Sequence, residues 1–180
     1  MNNSNIFNLY LLFPLLFIIA CGGGTSAEND AQADQIIVYA SDADTPGRNL
    51  WVKDLLTGQA KRLTKNEFHE NNPALSPDGK QVVFSRAVTE TDFLSYEIYR
   101  INIDGSGEVK LTSNNLIDGH PDWTADGKSI VYVTYRGNGA GGDIYLMNSD
   151  GSNSRPLITT PYDDNDPEPS PDGKYLVFKS

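Results

Sequence analysis

Ser76-Pro77-Asp78-Gly79-Lys80 returns, slightly altered, as Thr124-Ala125-Asp126-Gly127-Lys128, and once more as Ser170-Pro171-Asp172-Gly173-Lys174. The aspartate moves from 78 to 126 to 172, steps of 48 and 46 residues. Other landmarks keep the step. Glu97-Ile98-Tyr99 matches Asp143-Ile144-Tyr145, and Asp104-Gly105-Ser106 matches Asp150-Gly151-Ser152. Leu63-Thr64, Leu111-Thr112 and Leu157-Ile158 close successive units. Landmarks held in register at such a period mark a supersecondary unit that buries its apolar faces against copies of itself.

Each unit predicts four short strands. In the second unit, residues 73–76 form the first, and Pro-Asp-Gly turns the chain: proline presets φ, aspartate caps and glycine accepts a positive φ. The second strand is 81–86, apolar on both faces as for a strand covered by neighbours. The third is 97–103, and after an Asp-Gly turn the fourth is 109–112. No segment beyond the N-terminal apolar run has a helical apolar period. Four strands per 46–48 residues is the spacing of a propeller blade. The expected fold is all-β, a β-propeller of four-stranded antiparallel blades spanning 35–180. Blades fall at about 35–64, 71–112, 119–159 and 165–180. The first lacks an inner strand and the last has only two strands, so about three and a half blades are present in an incomplete ring. Closed propellers have about four to eight blades, and the expectation is an N-terminal fragment of a longer propeller.

The unit resembles the TolB-like propeller repeat, loosely P-x-W-S-P-D-G-K, then D-I-Y-x-M-N-x-D-G, then L-T. Pro121-Asp122-Trp123-Thr124-Ala125-Asp126-Gly127-Lys128 and Asp143-Ile144-Tyr145-Leu146-Met147-Asn148-Ser149-Asp150-Gly151 carry the likeness most fully. Leu75 and Pro169 stand where the tryptophan would be. The family's namesake has an additional α/β domain before its propeller, for which this chain has no room, so the resemblance does not carry over the namesake's partner.

The first residues read as an address. Residues 6–20, IFNLYLLFPLLFIIA, are almost wholly apolar, short for a membrane span of about 20 residues and interrupted by Pro14. The length suits the core of a secretory signal over 1–20, although Met1 to Ala20 carries no Lys or Arg. Ile18-Ile19-Ala20-Cys21 resembles the lipobox of bacterial lipoproteins, which implies cleavage before Cys21 and acylation of its thiol and amine. More than one acyl chain suffices for stable anchoring. Residues 21–34 read as a flexible tether. Gly22 after the cysteine, in place of aspartate, favours the outer membrane, facing the periplasm.

The balance of 24 acids against 14 bases, net −10, argues against nucleic acid and against electrostatic docking on anionic lipid. A single cysteine excludes an internal disulfide and a cysteine-built metal site. Gly137-Asn138-Gly139-Ala140-Gly141-Gly142 contains G-x-G-x-x-G, but a strand follows where a dinucleotide site requires a helix. Asp42-Ala43-Asp44-Thr45-Pro46-Gly47 fails as a calcium loop, with Pro46 at its fifth position and Lys53 at its twelfth. No G-x-S-x-G appears, so no catalytic residue, cofactor or metal is assigned.

Candidate binding residues precede the inner strands: Glu70-Asn71-Asn72-Pro73, Asp118-Gly119-His120-Pro121 and Asp164-Asn165-Asp166-Pro167. Repeat symmetry predicts two arcs at a channel mouth: Glu70, Asp118 and Asp164 in one, Asn72, His120 and Asp166 in the other. His69 is out of register with His120, which argues against a histidine-held metal. The expected function is a non-catalytic envelope platform binding a protein or glycan. The alternative is the propeller part of a lyase-like carbohydrate-active enzyme or of a larger hydrolase.

Overall fold

The computed structural model describes residues 35–43, 47–88, 95–137 and 141–180, so the signal, tether and Cys21 lie outside the described residues. The strands are β1 (Ile36–Ser41), β2 (Asn49–Asp54), β3 (Ala60–Arg62), β4 (Glu70–Leu75), β5 (Gln81–Ala87), β6 (Tyr96–Asn102), β7 (Val109–Lys110), β8 (Ile117–Trp123), β9 (Ser129–Tyr135), β10 (Gly142–Asn148), β11 (Arg155–Ile158), β12 (Asn165–Pro169) and β13 (Leu176–Lys179). They form four sheets in simple sequential order, β1–β3, β4–β7, β8–β11 and β12–β13. All pairs are antiparallel, as short turns require. The inner strands lie beside one another, β4 next to β8 and β8 next to β12.

The turn chemistry is as read. Ser76, Thr124 and Ser170 each donate to the turn aspartate at 2.7 Å. The amides of Lys80, Lys128 and Lys174 complete each turn at 3.1 Å. Gly79, Gly127 and Gly173 sit at φ of 71°, 67° and 70°, a region that favours glycine.

The core lies between the blades. Along β5, alternate residues point to opposite neighbours. Val82 and Phe84, fully buried, pack with Leu50, Leu63 and Ile101 against the first blade. Val83 and Ile98 pack with Trp123, Ile130, Tyr132 and Met147 against the third. Cross-strand aromatic pairs recur at one repeat position: Tyr39–Trp51, Phe84–Tyr99 and Tyr132–Tyr145, with centroids 6.5, 5.8 and 5.8 Å apart. Such pairs add about 0.5–1.5 kcal/mol beyond the area they bury.

The inner strands differ from the reading. β4 begins at Glu70 rather than at residue 73, because each inner strand contains a bulge, at Asn71/Ala74, Gly119/Asp122 and Asn165/Glu168. Proline donates no ladder hydrogen bond, and the bulge absorbs Pro73, Pro121 and Pro167 while pairing resumes upstream. The outer strand β7 is shorter than read, Val109–Lys110 alone.

Candidate channel-mouth site

The two predicted arcs part company. Glu70, Asp118 and Asp164 are each 0% exposed, so they do not line an open mouth, and that expectation is corrected. They are latches between blades. Glu70 accepts from Leu50 N of β2 at 3.0 Å and from the Thr64 hydroxyl beyond β3. Asn66 Nδ2 (2.8 Å) and Arg86 (2.6 Å) donate to its other oxygen. Asp118 accepts from Asn114 Nδ2 at 2.7 Å and Thr134 Oγ1 at 2.8 Å. Asp164 accepts from Thr160 Oγ1 at 2.8 Å and Thr160 N at 3.2 Å. Entry of the chain into a new blade leaves amide and hydroxyl donors buried beside each carboxylate, from the preceding blade or loop and, at Asp118, from Thr134 of its own blade, and such donors need an acceptor. Burial pushes the Asp118 carboxyl up; hydrogen bonds from Thr134, Asn114 and Thr112 oppose this, and the Glu97 charge adds to it. At Asp164 burial also acts upward, but hydrogen bonds with Ser180 and Thr160 and the Arg136 charge prevail and hold it below the usual carboxylate range.

The second arc is different. Asn72, His120 and Asp166 occupy the bulges with φ of 49°, 50° and 52°. Left-handed geometry in a non-glycine residue, here immediately before proline, costs of order 1–3 kcal/mol. The structure brings two of the three together. His120 Nδ1 lies 2.7 Å from Asp166 Oδ1, with side chains 32% and 51% exposed, joining β8 to β12. Asn72 is held within its own blade, where Ser85 Oγ donates to its Oδ1 at 3.4 Å.

Three residues around this pair were not singled out from the sequence. The Tyr135 ring meets His120 edge-on at 6.5 Å, and its hydroxyl donates to Asn165 Oδ1 at 2.6 Å. Burial, with the charges of Asp163 and Asp166, pushes that hydroxyl up to about 12. Two residues beyond His120 and Asp166 stand Asp122 and Glu168. Burial, aided by the Glu168 charge and opposed by the Trp123 amide, pushes Asp122 up to about 6. The repeat register that pairs 120 with 166 also pairs 122 with 168, and that was the available signal. Among the described residues no group of three or more His, Cys, Asp or Glu side chains is placed to hold a metal ion.

Sequential antiparallel sheets, the two central ones four-stranded, with adjacent inner strands and packed face to face through aromatic and aliphatic side chains, define an arc of β-propeller blades. Comparison with known proteins agrees. The profile of the TolB beta propeller domain matches residues 32–180, and the chain belongs to that family. The solved structure of a putative TolB from Agrobacterium tumefaciens superimposes with a TM-score of 0.69 at 24% identity, covering 79% of this chain and 49% of that one. TolB from Acinetobacter baumannii gives a TM-score of 0.66 at 22% identity, covering 81% and 37%. Dipeptidyl-peptidase 5 of Porphyromonas gingivalis is 36% identical over 66 residues, 36% of this chain and 10% of that protein. The chain therefore spans a tenth of that relative and at most 49% of these solved chains.

Proposed function

We propose that this chain is the propeller platform of a bacterial cell-envelope lipoprotein, anchored through Cys21, that binds a protein or glycan at the inner-strand bulges without catalysing a reaction on it. The observation that supports the reading is the His120–Asp166 pair: one repeat position, held left-handed in successive blades, whose partly exposed side chains meet across a blade boundary. The bulge that absorbs each proline also sets these side chains at a repeated position, and binding residues concentrate on such segments of a rigid scaffold. The test is site-specific photocrosslinking in intact envelopes. A crosslinker replacing His120 or Asp166 captures a partner, whereas one replacing Leu157 does not. Capture from position 157 with none from 120 or 166 removes the reading.

A second reading, the propeller part of a larger hydrolase, is favoured by the likeness to dipeptidyl-peptidase 5. It predicts release of dipeptides from chromogenic peptidyl substrates by protein purified from its native envelope. Absence of release under conditions where a known dipeptidyl peptidase is active leaves the platform reading.

A further inference from the structure

The seam between the second and third blades holds a cavity at the end opposite the bulges. Pro77, Asp78 and Gln81 line it from the β4–β5 turn, and Trp123, Asp126 and Gly127 from the end of β8 and the β8–β9 turn. The two turns stand side by side: a Cβ on Gly127 would lie 3.7 Å from Pro77 Cδ. The cavity measures about 170 Å³. Sites for drug-sized ligands span about 300–1,000 Å³, so this one admits a single ring or chain end. Both walls are four-stranded blades, each with a neighbouring sheet on either side.

The hydrogen bonds already made narrow what can enter. Ser76 Oγ is engaged twice, donating to Asp78 Oδ1 at 2.7 Å and accepting from Gln81 N at 2.9 Å. Trp123 Nε1 donates to Ala74 O at 3.2 Å. Each aspartate uses Oδ1 for its own turn, and Oδ2 of Asp78 and of Asp126 accepts nothing among the described residues. Gln81 Nε2 donates to Asn102 Oδ1 at 3.1 Å, which leaves its Oε1 and one amide hydrogen. The remaining capacity is therefore mainly that of acceptors. The Ser76 hydroxyl, with the Lys80 amide and charge, holds Asp78 below the usual carboxylate range, and Thr124 and Lys128 do the same for Asp126. Both carboxylates are ionised at neutral pH, yet each has a lysine two residues on, so the pair of turns carries no net charge. That balance disfavours a bare cation and suits a neutral ligand rich in hydroxyl donors, with the carbons of Pro77 and Trp123 at its wall.

We propose that this seam is a second binding site, for one neutral sugar unit of a glycan, whose adjacent hydroxyls donate to Asp78 Oδ2 and Asp126 Oδ2. It lies at the other end of β8 from His120, so it stands or fails independently of the bulge site. The next seam has Ser129 and Pro169 in place of Gln81 and Trp123, so among the described residues one seam alone carries the full set.

Titration of the purified full chain with the methyl glycosides of glucose, galactose and N-acetylglucosamine tests it, read by ligand-observed NMR, with lysine methyl ester as the cationic probe. At least one glycoside is expected to saturate the chain with a Kd of about 1–10 mM, insensitive to salt because no charge is neutralised. Asp78→Asn and Asp126→Asn keep Oδ1 for the turn and convert Oδ2 into a donor, and each is expected to weaken binding about tenfold or more. Gln81→Met, which leaves both turns intact, is expected to weaken it severalfold. Asp172→Asn makes the same change in the turn of the last sheet and is expected to bind as wild type. Circular dichroism confirms that each variant keeps its strands; where an Asn variant loses them, Gln81→Met carries the test. Four results overturn the proposal: no saturable binding of any of the three glycosides, binding of lysine methyl ester in their place, a loss in Asp172→Asn equal to the others, or glycoside binding that survives all three cavity substitutions.

Discussion

Glu70 carries more of the blade boundary than any neighbouring residue. It is buried, yet it receives Leu50 N, the Thr64 hydroxyl, Asn66 and Arg86. Arg86 in turn reaches Glu108 at 2.5 Å and lies 4.6 Å from the Tyr99 ring centroid. Removing one member of a buried ion pair leaves its partner uncompensated and costs about 3–5 kcal/mol, whereas replacing both with apolar residues is often nearly neutral. Glu70→Ala is therefore expected to lose about that much in urea unfolding, since the Thr64 hydroxyl and Asn66 lose their acceptor and Arg86 one of its two carboxylates, and Glu70→Gln, which keeps an acceptor without the charge, to lose less. Equal losses would assign the effect to the charge rather than to the accepted hydrogen bonds. Asp122 acts in the opposite sense. Its carboxyl titrates near 6 in the folded chain against 3.8 ordinarily, so the folded state binds the proton more tightly than the unfolded one. That favours folding below about pH 4, and the benefit is lost as pH rises through about 6; the swing is on the order of 3 kcal/mol. Asp122→Asn, which keeps the acceptor for Trp123 N, is expected to flatten the fall in unfolding free energy between about pH 4 and 6. An unchanged fall would assign it to other groups.

At the scale of the strand, close approach decides what a position tolerates. Gly142 opens β10, and a Cβ there would lie 2.5 Å from Val133 Cγ1 and 2.9 Å from the Asp164 carbonyl oxygen. The latter belongs to the backbone entering the last blade, where Asp164 N also donates to Gly142 O at 3.0 Å. Overpacking of this kind costs typically 1–3 kcal/mol. Gly142→Ala is expected to lower the unfolding free energy by that amount, whereas Gly137→Ala, with nothing within 4 Å of its Cβ, pays only for its positive φ of 75°. The same scale separates what was legible in the sequence from what was not. Strands, turns and blade order follow from local chemistry: the Pro-Asp-Gly turn needs only its own residues, and the period repeats it. Burial of Glu70 and Asp118 draws on donors 20 and 16 residues away in sequence, which a local reading cannot see, while the Thr160 donors to Asp164 stand four residues before it. Carboxylates three residues before a proline read as polar loop residues, whereas the bulge turns one residue inward and the next but one outward. Asn72, His120 and Asp166 share one repeat position and a left-handed φ, but 120 and 166 meet while 72 turns to Ser85, which the register alone does not reveal.

Within residues 35–180, stability should fall from the centre of the arc to its ends. Blades in a repeat array are stabilised largely by nearest-neighbour contacts. The second and third blades each have two neighbours, and their strands β5, β6, β9 and β10 hold most of the fully buried side chains, from Val82 to Met147. Among the described residues the first and last sheets have one neighbour each, and β13 has an unpaired edge. Trp123 joins the two central blades: it is 5% exposed, packs among Val83, Ile98 and Tyr132, and donates from Nε1 to Ala74 O at 3.2 Å. Hydrogen exchange measured on residues 35–180 is expected to be fastest in β12 and β13 and next fastest in β1 to β3. It should be slowest in β5, β6, β9 and β10. Opening free energies span zero up to the global value in such gradients. Trp123→Ala should cost about 3–5 kcal/mol and raise exchange in β4 to β7 and β8 to β11 together, since it empties the boundary they share. Acceleration confined to β8 to β11 would mean that the blades open independently, and that the apolar seams between them contribute less than the hydrogen-bonded ladders within.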